Sequence, residues 1–185
     1  KDKLYYENSG GGVTLSGGEP LAQYDFTLEI LQEAKRHHIH TAIETCGFAE
    51  RAKLERIAEF VDVFLFDYKE TNPELHRRFT GVDNTLIMEN LESIDKLQKD
   101  IILRCPLIPG YNDRQEHFRG IANVANTLKN IQRIELEPYH SLGMGKYKKI
   151  GKEYELSHVK LPDDDMIDLW KCEIQKNTAV RVNIA

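Results

Sequence analysis

The chain has 185 residues, a formal net charge of −5 and 30% charged residues. That length suits one domain, residues 1–185, with a core large enough to fold without a disulfide or metal staple. The acidic balance argues against a nucleic-acid or anionic-membrane partner, and with no apolar run near the ~20 residues of a membrane span and no secretory signal at its start, a cytoplasmic protein is expected.

Apolar residues switch between a period of 2 and a period of 3.6 along nearly the whole chain. Residues 12–16 read as a short strand, and 24–38 as a helix with Phe26, Ile30, Leu31 and Ala34 on one face. A second strand at 40–44 is closed by Cys46-Gly47, and a second helix at 49–60 turns Leu54, Ile57 and Ala58 inward. The near-continuous apolar run VDVFLFDY, 61–68, suits a parallel strand buried on both faces. A helix follows over 84–99, then a strand over 101–108 that stops at Pro109-Gly110. Asp113 stands in N-cap position with Glu116 in capping-box register, ahead of a helix carrying Phe118, Ile121, Ala122, Ala125 and Leu128. Residues 131–136 form a strand, 140–160 a long polar loop, and Pro162 opens a last helix through Met166, Leu169, Trp170 and Ile174. A strand over 179–184 closes the chain.

Repeating strand–helix units of roughly 30 residues are βαβ crossovers, which force a parallel sheet with helices outside it. A complete eightfold barrel takes ~250 residues. The expected fold is therefore α/β, a partial (β/α)6-type barrel or, failing that, a doubly wound sheet.

Both architectures bind ligands at the carboxyl ends of the strands. Those ends carry Ser16-Gly17-Gly18-Glu19, Glu44-Thr45-Cys46-Gly47, Asp67-Tyr68-Lys69, Arg104, and then Glu135, Glu137, Tyr139 and His140. Gly17 and Gly18 let a ligand approach the backbone closely. Neither GxGxxG nor GxxxxGK[ST] is present, and Glu19 would repel a phosphate, so a cationic group such as an amine fits better. Asp67 and Lys69 flank Tyr68 and point to one face of an extended segment. They read equally as an acid–base or substrate-holding pair and as a surface ion pair. His37, His38 and His40 straddle a helix end and a strand start, opposite the ligand-binding end, so no metal site is expected there. Three scattered cysteines, Cys46, Cys105 and Cys172, give neither a disulfide framework nor a local metal site.

In order and spacing, VTLSGGEP, IETCG, FDYK with ETNPELHRRFTGV, ILRCPLIPGYND and IELEPYHSLGMGKY resemble the glycyl-radical-enzyme activating enzymes of the radical S-adenosylmethionine superfamily, most of all the pyruvate formate-lyase type. The resemblance covers almost the whole chain. It implies that Gly17, Gly18 and Glu19 bind the methionine amino group of S-adenosylmethionine, with Glu44 and Thr45 beside the same cofactor. It implies that Asp67 and Lys69 contact the cofactor and an incoming glycyl loop, that Arg104 is the site arginine of the fourth strand, and that His140 lies near the adenosyl part. The implied chemistry is reductive cleavage of S-adenosylmethionine by a [4Fe-4S] cluster, giving a 5′-deoxyadenosyl radical that takes hydrogen from a glycine Cα of a partner enzyme. The implied partners are a glycyl radical enzyme, such as pyruvate formate-lyase or a relative, and an electron donor such as flavodoxin or ferredoxin.

The sequence departs from that family at two points. The CxxxCxxC motif that ligates the cluster is absent, and the three cysteines are too dispersed to replace it. Because the chain begins at Lys1, shortly before the GGE segment, the expectation is a chain lacking its first βα unit and cluster loop and inactive by itself. The strand ending at Ser16 should then lie at a sheet edge. The second departure is Cys46, where well-characterised members carry asparagine. Two other readings remain open from the residues: a cluster-independent βα-barrel enzyme using Asp67, Lys69 and His140, and a non-catalytic partner-binding module.

Overall fold

The computed structural model describes residue 6, residues 11–143, residue 151 and residues 154–185. Six strands, β1 (Gly12–Leu15), β2 (His40–Thr45), β3 (Val63–Asp67), β4 (Asp100–Leu107), β5 (Ile131–Pro138) and β6 (Val182–Ile184), form one sheet in the order β1-β2-β3-β4-β5-β6. Every neighbouring pair is parallel. Among the described residues six α-helices lie between them: α1 (Tyr24–Arg36), α2 (Arg51–Ala58), α3 (Pro73–Thr80), α4 (Thr85–Lys96), α5 (Gln115–Thr127) and α6 (Asp164–Gln175).

Strand order decides between the two expected architectures. A doubly wound sheet reverses direction at a switch point and so carries helices on both faces. Here the chain steps one way only, and right-handed crossovers of one sense put every helix on the same face. That is the winding of a partial barrel. Among the described residues β1 pairs with β2 alone, so it forms a sheet edge, as expected.

The two faces differ accordingly. Ile43, Phe64, Phe66, Leu103, Ile134 and Leu136 point to the helical side and are fully buried, against Leu31, Leu54, Ile57, Leu91, Ile121 and Ile174 from the helices. Their strand neighbours Glu44, Leu65, Asp67, Arg104, Glu135 and Glu137 point the other way and keep partial solvent access. The run VDVFLFDY is therefore not buried on both faces. Val63, Leu65 and Asp67 alternate with the buried Phe64 and Phe66, because no second helical layer covers the open side.

Further local expectations are corrected. Helix α3 lies in a stretch that periodicity leaves unassigned, yet its ends are chemically marked. Asn72 Oδ1 accepts from the Glu74 and Leu75 amides at 2.9 and 3.1 Å, Pro73 occupies the first turn, and Gly81 ends the helix at φ 92°. Asp113 does not cap α5. Its Oδ1 instead accepts from Gly110 N at 2.7 Å, closing the turn after β4, and Arg114 takes the cap position. The last helix starts at Asp164, with Asp163 rather than Pro162 at its boundary and its Oδ1 accepting from Met166 N. Phe26 is 64% exposed, because α1 buries the stripe Thr27, Leu31 and Ala34 instead. Within the expected loop 140–160, Ser141–Gly143 form a 3-10 turn, while residues 144–150 and 152–153 lie outside the described residues.

Gly120 on α5 meets the segment that follows β3. A Cβ there would stand 2.8 Å from Thr71 Cβ and closer still to Thr71 Oγ1. Alanine gains roughly 1 kcal/mol over glycine inside a helix, but overpacking costs about 1–3 kcal/mol, and Thr71 is held by hydrogen bonds to Tyr68 and His117 and cannot yield freely. Gly120→Ala is expected to lower stability by about 1–2 kcal/mol in urea unfolding, against the helix-propensity trend.

Candidate active site

The site assembles at the carboxyl ends of β1 to β4. Gly17 sits at φ 137°, and nothing lies within 4 Å of where a Cβ would project from Gly17 or Gly18, so the backbone there is open to an approaching group. Glu19 does not hang free. Its Oε1 accepts from Leu21 N at 3.1 Å and Thr45 Oγ1 at 2.7 Å, and its Oε2 from Cys46 N at 2.9 Å. A carboxylate has about four acceptor positions, so one remains after it has bound the glycine loop to the end of β2. Thr45 is buried and also accepts from Gly47 N at 3.0 Å. Gly47 (φ 70°) is fixed from two sides: a Cβ there would stand 2.6 Å from Phe66 Cε2, and Asn90 Nδ2 of α4 donates to Gly47 O at 2.8 Å.

A charge lattice covers the open sheet face. Arg104 forms an ion pair from Nη1 with Glu44 at 2.7 Å and places Nη2 against Glu137, while Ser16 Oγ donates to the other oxygen of Glu44 at 2.9 Å. Arg133 pairs with Glu135 at 2.7 Å. Asp67 is in register with Arg104 across β3 and β4, and Lys69 Nζ approaches its Oδ2 at 3.5 Å. Asp67 Oδ1 is buried and has no hydrogen-bond partner among the described residues. Burial raises the Asp67 carboxyl above its ordinary range, although Lys69 and Arg104 pull it down. Four carboxylates, Glu44, Asp67, Glu135 and Glu137, thus face three cations, Arg104, Arg133 and Lys69. Such a surface favours a ligand bearing positive charge. A cavity of about 640 Å³ opens beside Lys69, between Phe79 of α3 and Ile108 and Tyr111 after β4.

The structure therefore brings Gly17, Gly18, Glu19, Glu44, Thr45, Asp67, Lys69 and Arg104 to the ends of adjacent strands. It does not join His140 to them. That side chain is exposed in the turn after β5, where its Nδ1 accepts from Leu142 N at 3.3 Å. Cys46 stands at the rim, but burial and the nearby Glu19 push its thiol up to about 11, so it is protonated at neutral pH. Cys105 is buried and Cys172 exposed, and among the described residues no three His, Cys, Asp or Glu side chains converge to hold a metal.

Sequence reasoning missed the groups that hold the site's loops. Asn90, Asn84 and Asn112 are buried and spend their amides on loop carbonyls. Glu70 is buried and accepts from both terminal nitrogens of Arg114, at 2.8 and 2.5 Å. His117 is fully buried, stacks on Tyr68 with centroids 5.7 Å apart, and accepts the Thr71 amide on Nδ1. A polar residue on an otherwise apolar helical face was the available signal, as at Asn90 beside Ile87, Leu91 and Ile94.

A family model for the radical SAM superfamily matches residues 2–121. The chain belongs to that superfamily. It is 40% identical, over 93% of its length and 57% of the relative's, to the choline trimethylamine-lyase activating enzyme of Oleidesulfovibrio alaskensis. It is 36% identical, over 89% of its length and 68% of the relative's, to the pyruvate formate-lyase-activating enzyme of Staphylococcus aureus. The chain spans about half the length of several other curated activating enzymes that it matches. In fold it is similar to a crystallised domain of a pyruvate-formate lyase-activating enzyme from Bacteroides vulgatus, with a TM-score of 0.78, 24% identity, and 95% and 99% of the two chains covered. Among the described residues no helix is long and apolar enough to cross a membrane.

The superfamily's cofactors are S-adenosylmethionine and a [4Fe-4S] cluster. The first fits this radical SAM chain. Its ammonium and sulfonium are cations, and the open face offers an excess of carboxylates, including the unpartnered Asp67 Oδ1. The second does not fit: the chain's three cysteines are dispersed and differently buried, and no thiolate set forms.

Burial lowers the His117 pKa from 6.5 to about 4, although Glu70 pulls it upward. Between those values the unfolded chain binds the proton and the folded chain does not, so stability falls as pH drops through that window, by up to about 3 kcal/mol. His117→Gln should flatten this slope, read as the difference in unfolding free energy between pH 7 and pH 5 for the two proteins. Parallel slopes would exclude a neutral, buried His117.

Proposed function

We propose that this chain is the barrel of a glycyl-radical-enzyme activating enzyme that holds S-adenosylmethionine across the carboxyl ends of β1 to β4. The observation carrying this reading is the buried, unpartnered carboxylate oxygen of Asp67 within a carboxylate-rich sheet face, in a superfamily member whose relatives are activating enzymes. When bound and reduced by one electron from a [4Fe-4S] cluster held outside these residues, S-adenosylmethionine would supply the radical that removes hydrogen from a glycine Cα.

The chain's own residues divide the remaining work. Gly17 and Gly18 present bare backbone to the methionine end of the cofactor, and the last acceptor position of Glu19 takes its ammonium. Thr45 keeps Glu19 turned toward that end. Glu44, pinned by Ser16 and Arg104, and Asp67 complement the remaining positive charge. Lys69 serves the cofactor carboxylate and the edge where a partner's glycyl loop enters. Arg104 bridges Glu44 and Glu137 and holds the two carboxylates in place. His140 serves the adenosyl end, which requires its turn to close over the ligand. The partner is a glycyl radical enzyme, with pyruvate formate-lyase and choline trimethylamine-lyase as candidate types. The electron donor is a flavodoxin or ferredoxin, and the setting is the cytoplasm.

Asp67→Asn tests the reading. Removing a desolvated charge whose Oδ1 has no hydrogen-bond partner among the described residues, and whose only close cation there is Lys69 at 3.5 Å, should leave the melting temperature unchanged or raise it. Losing the charge aimed at a cationic ligand should weaken S-adenosylmethionine binding at least about tenfold, since hydrogen bonds to charged groups are worth ~1.5–3 kcal/mol. Calorimetric titration of the intact protein checks both points, and undiminished binding in a well-folded variant would sink the assignment.

A further inference from the structure

We infer that the pairing of buried Glu70 with half-buried Arg114 is a positioning device for Lys69, fixing where the Lys69 ammonium stands at the mouth of the site. The inference rests on the reading of Lys69 as a ligand-contacting residue.

The segment from Tyr68 to Asn72 leaves the end of β3 and would ordinarily be an irregular loop, free to move its side chains. Here most backbone polar groups of the segment are held. Tyr68 N donates to Arg104 O at 2.7 Å. Lys69 O accepts from Asn112 Nδ2 at 2.8 Å. Glu70 O and Thr71 O both accept from Asn84 Nδ2, each at 3.0 Å. Thr71 N donates to His117 Nδ1 at 3.1 Å, and Asn72 N to Glu70 Oε1 at 2.8 Å. Side chains add a relay in which Tyr68 OH donates to Thr71 Oγ1, which in turn donates to His117 Nδ1 at 2.8 Å.

Glu70 is the centre of this strap. Its side chain is wholly buried while that of the preceding residue, Lys69, remains 39% exposed, so the chain alternates an inward anchor with an outward functional group. The fork of Arg114 meets both Glu70 oxygens, and Arg114 Nη1 also donates to Tyr111 O at 3.1 Å. One guanidinium therefore joins the turn after β3 to the loop after β4, and both segments contribute to the lining of the cavity beside Lys69. Bidentate pairing fixes orientation as well as distance. The choice of a wholly buried carboxylate over an apolar side chain at Glu70 is otherwise hard to rationalise, because well-packed apolar residues are often as stabilising. A geometric duty for the neighbouring lysine supplies the reason.

A double-mutant cycle separates positioning from bulk stabilisation. S-adenosylmethionine binding to the intact protein is titrated by calorimetry for Lys69→Met in the native background and in a Glu70→Gln/Arg114→Met background, which leaves no buried charge unpaired. Arg114→Lys, which keeps the charge but not the fork, provides a second background should the double replacement fold poorly, and melting curves confirm folding in each. Lys69→Met should weaken binding about tenfold in the native protein and by less than twofold in the Glu70→Gln/Arg114→Met protein, with an intermediate loss in the Arg114→Lys protein. A tenfold loss in every background would overturn positioning while leaving the ligand role of Lys69 intact. No loss in the native background would overturn the ligand role itself and the inference with it.

Discussion

A sheet wound in one direction buries only one of its faces, and the rest of this structure depends on that asymmetry. The helical side can be apolar without exception, and Ile43, Phe64, Phe66, Leu103, Ile134 and Leu136 meet that condition with no exposed surface. The open side needs groups that tolerate partial hydration, and the strand ends fill it with Glu44, Asp67, Arg104, Glu135 and Glu137. Folding thus concentrates charge where six strand ends meet, before any ligand is considered. The apolar half of each strand supplies the stability that lets the other half carry unneutralised carboxylates.

Charge at strand ends is useful only if the loops bearing it are fixed, and here the fixing is done by buried amides rather than by apolar contact. Asn90 holds the loop after β2, Asn84 the turn after β3, and Asn112 ties the turn after β3 to the loop after β4. Loop carbonyls have no sheet or helix partner, and a buried carbonyl left unpaired costs more than the asparagine side chain loses by being buried. Glu19 does the same for the first loop, since its carboxylate takes the Thr45 hydroxyl and the Cys46 amide. A residue read from sequence only as a ligand is thereby also a structural tie, and the two duties are compatible because a carboxylate accepts more bonds than either alone requires.

Much of the fold was legible because crossover spacing and apolar period both report local geometry. The parallel pairing and the gathering of Gly17, Gly18, Glu19, Glu44, Thr45, Asp67, Lys69 and Arg104 at one end follow from alternation or from the motifs, whereas alternation left the order of strands open between a partial barrel and a doubly wound sheet. What was not legible depends on contacts distant in sequence. Helix α3 was hidden because its eight residues bury little beyond His76, so no apolar stripe announces it. The pairing of Glu70 with Arg114 spans 44 residues and has no local signature. His140 is a different case: its strand-end position was read correctly, but an exposed turn joins it to none of the others. VDVFLFDY misled for the opposite reason, since Val63 and Leu65 on the open face look like core from composition.

Asp67 and Glu70 show how three residues of sequence separate function from support. Both are carboxylates near the end of β3 and both are largely buried, yet their surroundings treat them oppositely. Glu70 meets a guanidinium fork and a backbone amide, which outweigh the cost of burial and hold its carboxyl below its ordinary range. Asp67 has one oxygen facing Lys69 at 3.5 Å and the other without a hydrogen-bond partner among the described residues, and burial prevails. A satisfied carboxylate has no further reason to bind a ligand, whereas an unsatisfied one gains from any cation that reaches it. The side chain that burial leaves short of partners is therefore the one with acceptor capacity to offer a cation, while its satisfied neighbour ties the turn after β3 to the loop after β4.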